Sequence, residues 1–132
     1  MDLLKRALVN QRALIASNAA SFPYSGKMLK PERAVSTFPK FIELALKSKV
    51  MTLQQAIKKI TIDAAKKMGI ENRGLVKEGY FADLVLFSID ESEELYGKYM
   101  TIKAVTVNGM PVLEDEIFKK QFPGKTLKFN SK

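Results

Sequence analysis

The chain has 132 residues, 46% of them hydrophobic, and contains neither cysteine nor histidine. This length suffices for one domain with a hydrophobic core, but not for a (β/α)8 barrel, which needs about 250 residues. The missing residue types exclude disulfides, thiolate chemistry, histidine-based metal sites and Ser-His-Asp catalysis within this chain. A metal site built from carboxylates alone stays open.

The net charge is +8, from 22 basic and 14 acidic residues, and residues 119–132 are conspicuously basic. Such an excess suits nucleic acid or an anionic surface. However, only four basic residues are arginine, and none of them clusters with aromatic residues as in a base-stacking platform. We therefore expect a solvated lysine-rich surface and no nucleic-acid partner.

The sequence contains no stretch near the ~20 apolar residues that a membrane span needs. Its first residues also lack the apolar core and small-residue cleavage site of a secretory signal. We expect a cytoplasmic protein without a membrane partner.

The N-terminal third predicts a helix, a strand and a loop. Apolar residues recur at helical spacing over residues 2–9. The run ALIA at 13–16 predicts a buried strand over 13–17. Residues 18–38 hold two prolines and a glycine without a clear apolar period, which predicts a long loop.

Two further helices are predicted before residue 70. An apolar face marks residues 40–49, with Pro39 in the first turn, where its missing N–H costs little. Thr52 and Gln55 have the spacing of a capping box, which predicts the start of a helix over 53–68. Gly69 is the expected stop of that helix.

The second half of the chain predicts a mostly antiparallel sheet. Glu78-Gly79 predicts a turn, Asn108-Gly109 predicts a tight hairpin, and Pro111 is expected at a sheet edge. Leu84–Phe87 is apolar at every position, which predicts a central strand buried on both faces. The acidic stretch that follows it lacks the spacing of a calcium loop and predicts a solvated loop over 88–99. The predicted strands are 74–77, 83–88, 102–107, 110–114 and 125–129. Together with the helices they predict an α+β fold.

These motifs resemble the amidohydrolase superfamily, and in particular its D-aminoacylase (N-acyl-D-amino-acid deacylase) branch. The resemblance lies in Gly74-Leu75-Val76, Glu78-Gly79, Ala82-Asp83-Leu84-Val85, Val107-Asn108-Gly109 and Pro123-Gly124. It implies that residues 1–69 correspond to the last strand and helix of a catalytic barrel. Residues 70–132 then correspond to the C-terminal segment of the composite β domain beside that barrel.

The resemblance also implies where a catalytic residue should lie. In the family, a Ser-Asp-Gly motif follows the last barrel strand, and its Asp acts as general base beside the metal. The aligned residues here are Ser17-Asn18-Ala19. An amide cannot take a proton near neutral pH, so Asn18 marks the catalytic position without its chemistry.

A second family segment, His-Pro-Arg-Ala-Tyr-Gly-Thr-Phe-Pro, is matched in part by Arg33-Ala34 and Thr37-Phe38-Pro39. Its His-Pro is replaced by Pro31-Glu32. We therefore do not expect Glu32 and Arg33 to form a working site.

The resemblance implies the C-terminal fragment of a metal-dependent amidohydrolase that hydrolyses amide C–N bonds of N-acyl (D-)amino acids and is inactive by itself. Zinc or another divalent metal is expected in a complete family member and no cofactor in this chain. The alternative is a non-catalytic structural or oligomerisation module, or a subunit of a split hydrolase. The expected partner is a complementing N-terminal barrel polypeptide or a second copy, paired through residues 1–50, because the strand 13–17 would have an open edge.

Overall fold

The computed structural model describes residues 2–19, 31–90 and 100–127. The chain divides into two compact units, Met1–Ile60 and Thr61–Lys132. The described residues form four helices and four strands. These are α1 (Leu3–Val9), α2 (Glu32–Lys47), α3 (Leu53–Ile60), α4 (Ile62–Lys67), β1 (Leu84–Ile89), β2 (Met100–Val107), β3 (Met110–Glu114) and β4 (Ile117–Phe118).

The predicted α+β class is confirmed. The predicted division at residues 69 and 70 concerned the parts of a larger enzyme and stays a prediction. None of the described helices has the length and apolar character that crossing a bilayer requires.

The first unit is built around the packing of α2 against α3. Phe41, Ile42 and Ala45 bury one face of α2, and Ala56 is buried on α3. The predicted capping box starts α3, because the Thr52 N–H donates to Gln55 Oε1 at 2.8 Å and the Gln55 N–H donates to Thr52 Oγ1 at 3.2 Å. This part of the sequence analysis is confirmed.

Helix α2 corrects the predicted loop 18–38, because residues 32–38 are helical. The helix begins after Pro31, whose carbonyl accepts from the Ala34 N–H at 2.8 Å. Pro39 therefore lies inside the helix rather than in its first turn. A single proline removes one backbone hydrogen bond, and burial of the face around Phe41 holds the helix together across that gap. Residues 20–30 lie outside the described residues.

The predicted strand 13–17 is wrong, because residues 13–19 have neither helical nor strand structure. A strand needs a neighbouring backbone to accept and donate its hydrogen bonds. Among the described residues of the first unit, no strand offers that neighbour. The apolar run ALIA thus does not become a strand in this unit.

The predicted helix 53–68 is interrupted at Thr61, which has φ −119° and ψ −97°. Within the second unit, the backbone of Gly74 packs closely against the chain at this interruption. Gly74 lies so close to Ile62 that a Cβ on it would be 2.9 Å from the Ile62 N and Cα atoms. The predicted stop at Gly69 is confirmed, since the Gly69 and Ile70 N–H groups donate back into the last turn of α4 in a Schellman motif.

The sheet of the second unit is antiparallel throughout and has the order β1-β2-β3-β4. The predicted hairpin is confirmed, with Asn108 at φ 48° and Gly109 at φ 82°, as a turn between twisted strands requires. Pro111 pairs with Thr106 of β2 on one side, whereas the ladder between β3 and β4 includes only Leu113 and Glu114. The predicted edge position of Pro111 is therefore also confirmed.

Strand β1 corrects the prediction of a central strand. It lies at one edge of the sheet formed by the described residues. Leu84, Val85 and Leu86 are 40%, 52% and 63% exposed. The apolar run is therefore a strand, as predicted, but no described strand pairs with its outer side.

Two of the five strands predicted for the sheet are not observed among the described residues. Residues 74–77 form an irregular path into the confirmed turn at Glu78-Gly79, where the Tyr80 N–H donates to the Lys77 carbonyl at 3.1 Å. Residues 125–127 have no strand structure, and residues 128 and 129 lie outside the described residues, as does 91–99 of the predicted acidic loop. The short strand β4 was not predicted.

Candidate functional site

Asn18 is the residue that the sequence analysis placed at the catalytic position. It is exposed and has a left-handed backbone, with φ 46°, a conformation that asparagine tolerates better than most residues. The Nε of Arg33 donates to the Asn18 backbone carbonyl at 3.2 Å. The role of Asn18 as the position of a general base stays a prediction.

Glu32 and Arg33 do not converge into a pair that could transfer protons. The Glu32 carboxylate forms an ion pair with Lys40, eight residues along the chain. Arg33 instead contacts backbone at Asn18. The structure thus brings Arg33 into contact with the predicted catalytic position, whereas the Glu32 carboxylate pairs with Lys40.

The sequence analysis missed Lys59, which approaches the same segment from α3. The residue is only 7% exposed, and its Nζ donates to the carbonyl oxygens of Asn10 at 2.7 Å and Ala13 at 2.8 Å. A signal was available in the sequence, because Lys59 follows the buried Ala56 by three residues and so shares its side of the helix.

The described residues do not fit the metal that the family implies. Among residues 2–19, 31–90 and 100–127, no three acidic side chains approach closely enough to hold an ion, and the chain has no histidine or cysteine. Carbonyl and amide oxygens around Asn18 lack the negative charge that usual divalent sites provide. No step of a reaction is therefore assigned to a metal in this chain.

A second constellation, in the second unit, surrounds Arg73. Its guanidinium forms an ion pair with Asp83 through Nη1, and its Nη2 donates to Asn108 Oδ1 at 2.6 Å. The guanidinium carbon also lies 4.2 Å from the centre of the Phe81 ring. With 12% of its side chain exposed, Arg73 is largely removed from water.

Asn108 joins this arrangement to the rest of the sheet. Its backbone N–H donates to Asp83 Oδ1 at 2.8 Å, and its side-chain nitrogen donates to the Pro123 carbonyl at 2.7 Å. We call these four residues, Arg73, Asp83, Asn108 and Pro123, the arginine network. It links the segment before the Glu-Gly turn, the start of β1, the hairpin and the C-terminal segment.

The polar groups of the arginine network face one another, so its chemistry is that of a structural cross-link. No buried side-chain nitrogen or oxygen of the described residues lacks a hydrogen-bond partner. The sequence analysis named Asp83 only within the motif Ala82-Asp83-Leu84-Val85 and did not find its partners. The signal was Arg73, placed ten residues earlier on the other side of the Glu-Gly turn.

Comparison with known proteins places this architecture in a family. The sequence profile of the Amidohydrolase family matches residues 17–112. D-aminoacylase from Alcaligenes xylosoxydans xylosoxydans is 33% identical over 102 residues, which cover 72% of this chain and 21% of that protein. N-acyl-D-aspartate deacylase from the same organism is 35% identical over 85 residues, which cover 60% of this chain and 17% of that protein.

The similarity is not confined to deacylases. A 5-methylthioadenosine/S-adenosylhomocysteine deaminase from Halothermothrix orenii is 29% identical over 82 residues, which cover 53% of this chain and 19% of that protein. The chain thus spans about a fifth of the length of the curated relatives that it matches.

Solved structures agree with this assignment. A crystal structure of D-aminoacylase has a TM-score of 0.58 and 32% identity, covering 70% of this chain and 21% of that chain. A second D-aminoacylase structure, with the same values, concerns the role of a binuclear metal centre. The motifs around the arginine network, the matched profile and these likenesses lead to one conclusion: the chain belongs to the amidohydrolase family, with the resemblance to D-aminoacylase that its sequence had predicted.

Proposed function

We propose that this chain supplies the C-terminal, non-metal-binding part of a D-aminoacylase-type amidohydrolase that hydrolyses amide C–N bonds of N-acyl-D-amino acids. By itself the chain is inactive. The observation that carries the proposal is the arginine network, because it joins the motifs of the family resemblance into a cross-link whose polar groups hydrogen-bond to one another.

The metal chemistry of the complete enzyme is proposed to come from elsewhere. A related D-aminoacylase has a binuclear metal centre. Because this chain has no histidine or cysteine, we infer that the ligands of zinc or another divalent ion lie in a polypeptide outside these 132 residues. Bound to such ligands, the ion would supply Lewis-acid chemistry and a metal-bound water to the complete enzyme.

The contribution of Asn18 follows from its amide chemistry. An amide can orient a nearby group by hydrogen bonding, but it does not accept a proton at neutral pH. A complex that contains Asn18 is therefore expected to hydrolyse N-acyl-D-amino acids about 10²–10⁴-fold more slowly than the same complex with Asp at this position, the usual contribution of a general base.

Complementation tests the proposal directly. The Alcaligenes D-aminoacylase, shortened by the fifth that this chain matches, is co-expressed with the wild-type chain or with Asn18→Asp, and hydrolysis of N-acetyl-D-amino acids is measured with zinc. We expect no activity from either chain alone, activity from the Asn18→Asp complex and much less from the wild-type complex. A folded complex that stays inactive with Asn18→Asp would overturn the proposal.

A second candidate function, self-association, is favoured by β1. The strand is uncharged, lies at an edge of the described sheet and exposes Leu84, Val85 and Leu86. Self-association through residues 1–50 was expected from an open edge of the strand 13–17, which is not formed. The exposed edge that could pair with a second copy is instead β1.

Light scattering at high micromolar concentration tests this candidate. We expect a dimer that becomes a monomer in Leu86→Lys, because the substitution puts a charge in the apolar edge. Val76→Lys is the matched control, since Val76 is 90% exposed but lies outside the sheet. A wild-type monomer at this concentration would remove self-association as a function.

A further inference from the structure

The segment 10–18 leads from α1 to Asn18 without helical or strand structure. Two cationic side chains hold it by its carbonyl groups. Lys59 from α3 donates to Asn10 and Ala13, and Arg33 from α2 donates to Asn18. We propose that Lys59 and Arg33, here called the carbonyl clamp, are positioning residues that set where residue 18 lies in the complete enzyme. This inference rests on the proposed function.

Lys59 provides the stronger half of the carbonyl clamp. Lys59 is only 7% exposed, and a charged group in so buried a residue is stable only if acceptors replace its lost hydration. The Asn10 and Ala13 carbonyls do so at 2.7 and 2.8 Å. Asn10 is also the C-cap of α1, where backbone carbonyls lack partners within the helix and favour a cation. The contact thus replaces lost hydration of the Lys59 ammonium, and it gives the Asn10 carbonyl, which also accepts from the Ala13 N–H at 3.1 Å, a cationic partner.

The helix that carries Lys59 is itself well anchored. The capping box fixes its start, and Ala56, one turn before Lys59, is fully buried. Helix α2, which packs against it, buries Phe41 and Ile42. The start of the segment 10–18 is thereby tied to the hydrophobic core of the first unit rather than to another loop.

Arg33 acts at the other end of the segment. Its bond to the Asn18 carbonyl is longer, at 3.2 Å, and lies at an exposed position. A charge-assisted bond of this kind in water restricts the backbone less than the buried Lys59 contacts do. We therefore expect Lys59 to determine the path of the segment and Arg33 to restrict its last residue.

The position of residue 18 matters because a general base must lie within hydrogen-bond reach of the proton that it takes. Displacement by about 1 Å is enough to lower a rate about 10²-fold. Because residues 13–17 form no strand here, no ladder of backbone hydrogen bonds fixes residue 18 in the described structure. The carbonyl clamp supplies this restraint from side chains.

Trypsin offers a direct readout of the carbonyl clamp, since Arg12 lies between the two carbonyls that Lys59 holds and is exposed. Lys59→Met keeps an unbranched side chain that is one atom shorter, and it removes the donors. We expect cleavage after Arg12 to become about 10–100-fold faster, as the loss of two charge-assisted hydrogen bonds implies. Cleavage after Lys40, inside α2, reports whether the unit remains folded and should not change. Lys58→Met, at the exposed neighbouring position, should cleave like the wild type.

The isolated chain can overturn the inference without any enzyme assay. Unchanged cleavage after Arg12 in Lys59→Met would show that Lys59 does not hold the segment. If Lys59→Met also exposes Lys40 to cleavage, Lys59→Arg becomes the deciding variant. It retains a cation and donors and should protect Arg12 as the wild type does, so faster cleavage there with Lys40 still protected would overturn the inference.

The complemented Asn18→Asp enzyme tests the positioning role. Adding Lys59→Met should lower kcat at least about tenfold with little change in KM, because the base is displaced while substrate binding is not. Arg33→Gln should lower kcat by a smaller factor. If Lys59→Met speeds cleavage after Arg12 but leaves kcat unchanged, the positioning role is overturned. Inactivity of the parent Asn18→Asp complex would instead refute the proposed function, and the trypsin result would still decide whether Lys59 holds the segment.

Discussion

The two units of this chain have equal numbers of basic residues but different charge balances. Residues 1–60 contain eleven basic and three acidic side chains, whereas residues 61–132 contain eleven of each, so the net charge of +8 belongs entirely to the first unit. In the first unit, Lys59 and Arg33 donate to backbone carbonyls. In the second unit, Arg73 donates to the side chains of Asp83 and Asn108.

This difference determines what a change of sequence can disturb. A network of side chains depends on each member, so one substitution in the second unit should affect several segments at once. A cation that meets a carbonyl depends on no particular partner side chain, because every residue has a carbonyl. We therefore expect single substitutions to lower stability more in the second unit than in the first, and four measurements test this contrast.

The largest effect is expected for Gly74→Ala. Gly74 has φ 83°, and a Cβ would lie 2.9 Å from the backbone of Ile62, so the substitution adds backbone strain and a steric clash. We expect the free energy of unfolding in urea to fall by about 3–5 kcal/mol. Gly79→Ala is the matched control, because Gly79 has φ 82° but open space around it, and should cost only about 1 kcal/mol. Equal losses would show that the contact with Ile62 is unimportant.

The next largest effect is expected for Arg73→Met, which removes the central donor of the arginine network. Asp83 and Asn108 each lose a charged partner, and the contact with the Phe81 ring is lost. We expect a loss of about 2–4 kcal/mol in urea unfolding. Lys119→Met breaks an exposed ion pair with Glu114 and should cost less than about 1 kcal/mol. A similar loss for both variants would contradict the network.

A smaller effect is expected at the capping box of the first unit. Thr52→Ala removes the acceptor for the Gln55 N–H and should lower the unfolding free energy by about 1 kcal/mol. Gln54→Ala, at an exposed position in the same turn, should change it by less than about 0.5 kcal/mol. If Thr52→Ala proved as costly as Arg73→Met, the contrast between the units would be wrong.

The smallest effect is expected for Asn18→Asp in the isolated chain. The residue is exposed, and aspartate also tolerates its left-handed backbone, so stability should change by less than about 0.5 kcal/mol. No zinc-dependent hydrolysis of N-acetyl-D-amino acids should appear, because the described residues form no metal group. Deacylation by this variant alone would contradict the proposed division of labour.

The successes of the sequence analysis share a physical basis. The capping box at Thr52 and Gln55, the stop at Gly69 and the hairpin at Asn108-Gly109 are all confirmed. Each of these features depends on side-chain or backbone chemistry within a few residues, so a short stretch of sequence is enough to predict it. The amidohydrolase resemblance depends on the same local turns and strands.

The failures depend on neighbours that are remote in sequence. The run ALIA at 13–16 has strand character but finds no strand partner in its unit, and Leu84–Phe87 is a strand whose expected second neighbour is absent from the described sheet. Lys59 and Arg73 escaped notice for the same reason. Their partners lie 46 and 49 residues away for Lys59, and 10 and 35 residues away for Arg73.

The sequence by itself determined the family, the α+β class and the absence of histidine-based metal sites within this chain. These properties depend on which residue types are present and on short-range turn and cap chemistry. Only the tertiary structure decided which strand lies at the edge, where the arginine network closes and how Lys59 meets the segment before Asn18. Those outcomes depend on which groups are brought together and removed from water, and local pattern does not specify that pairing.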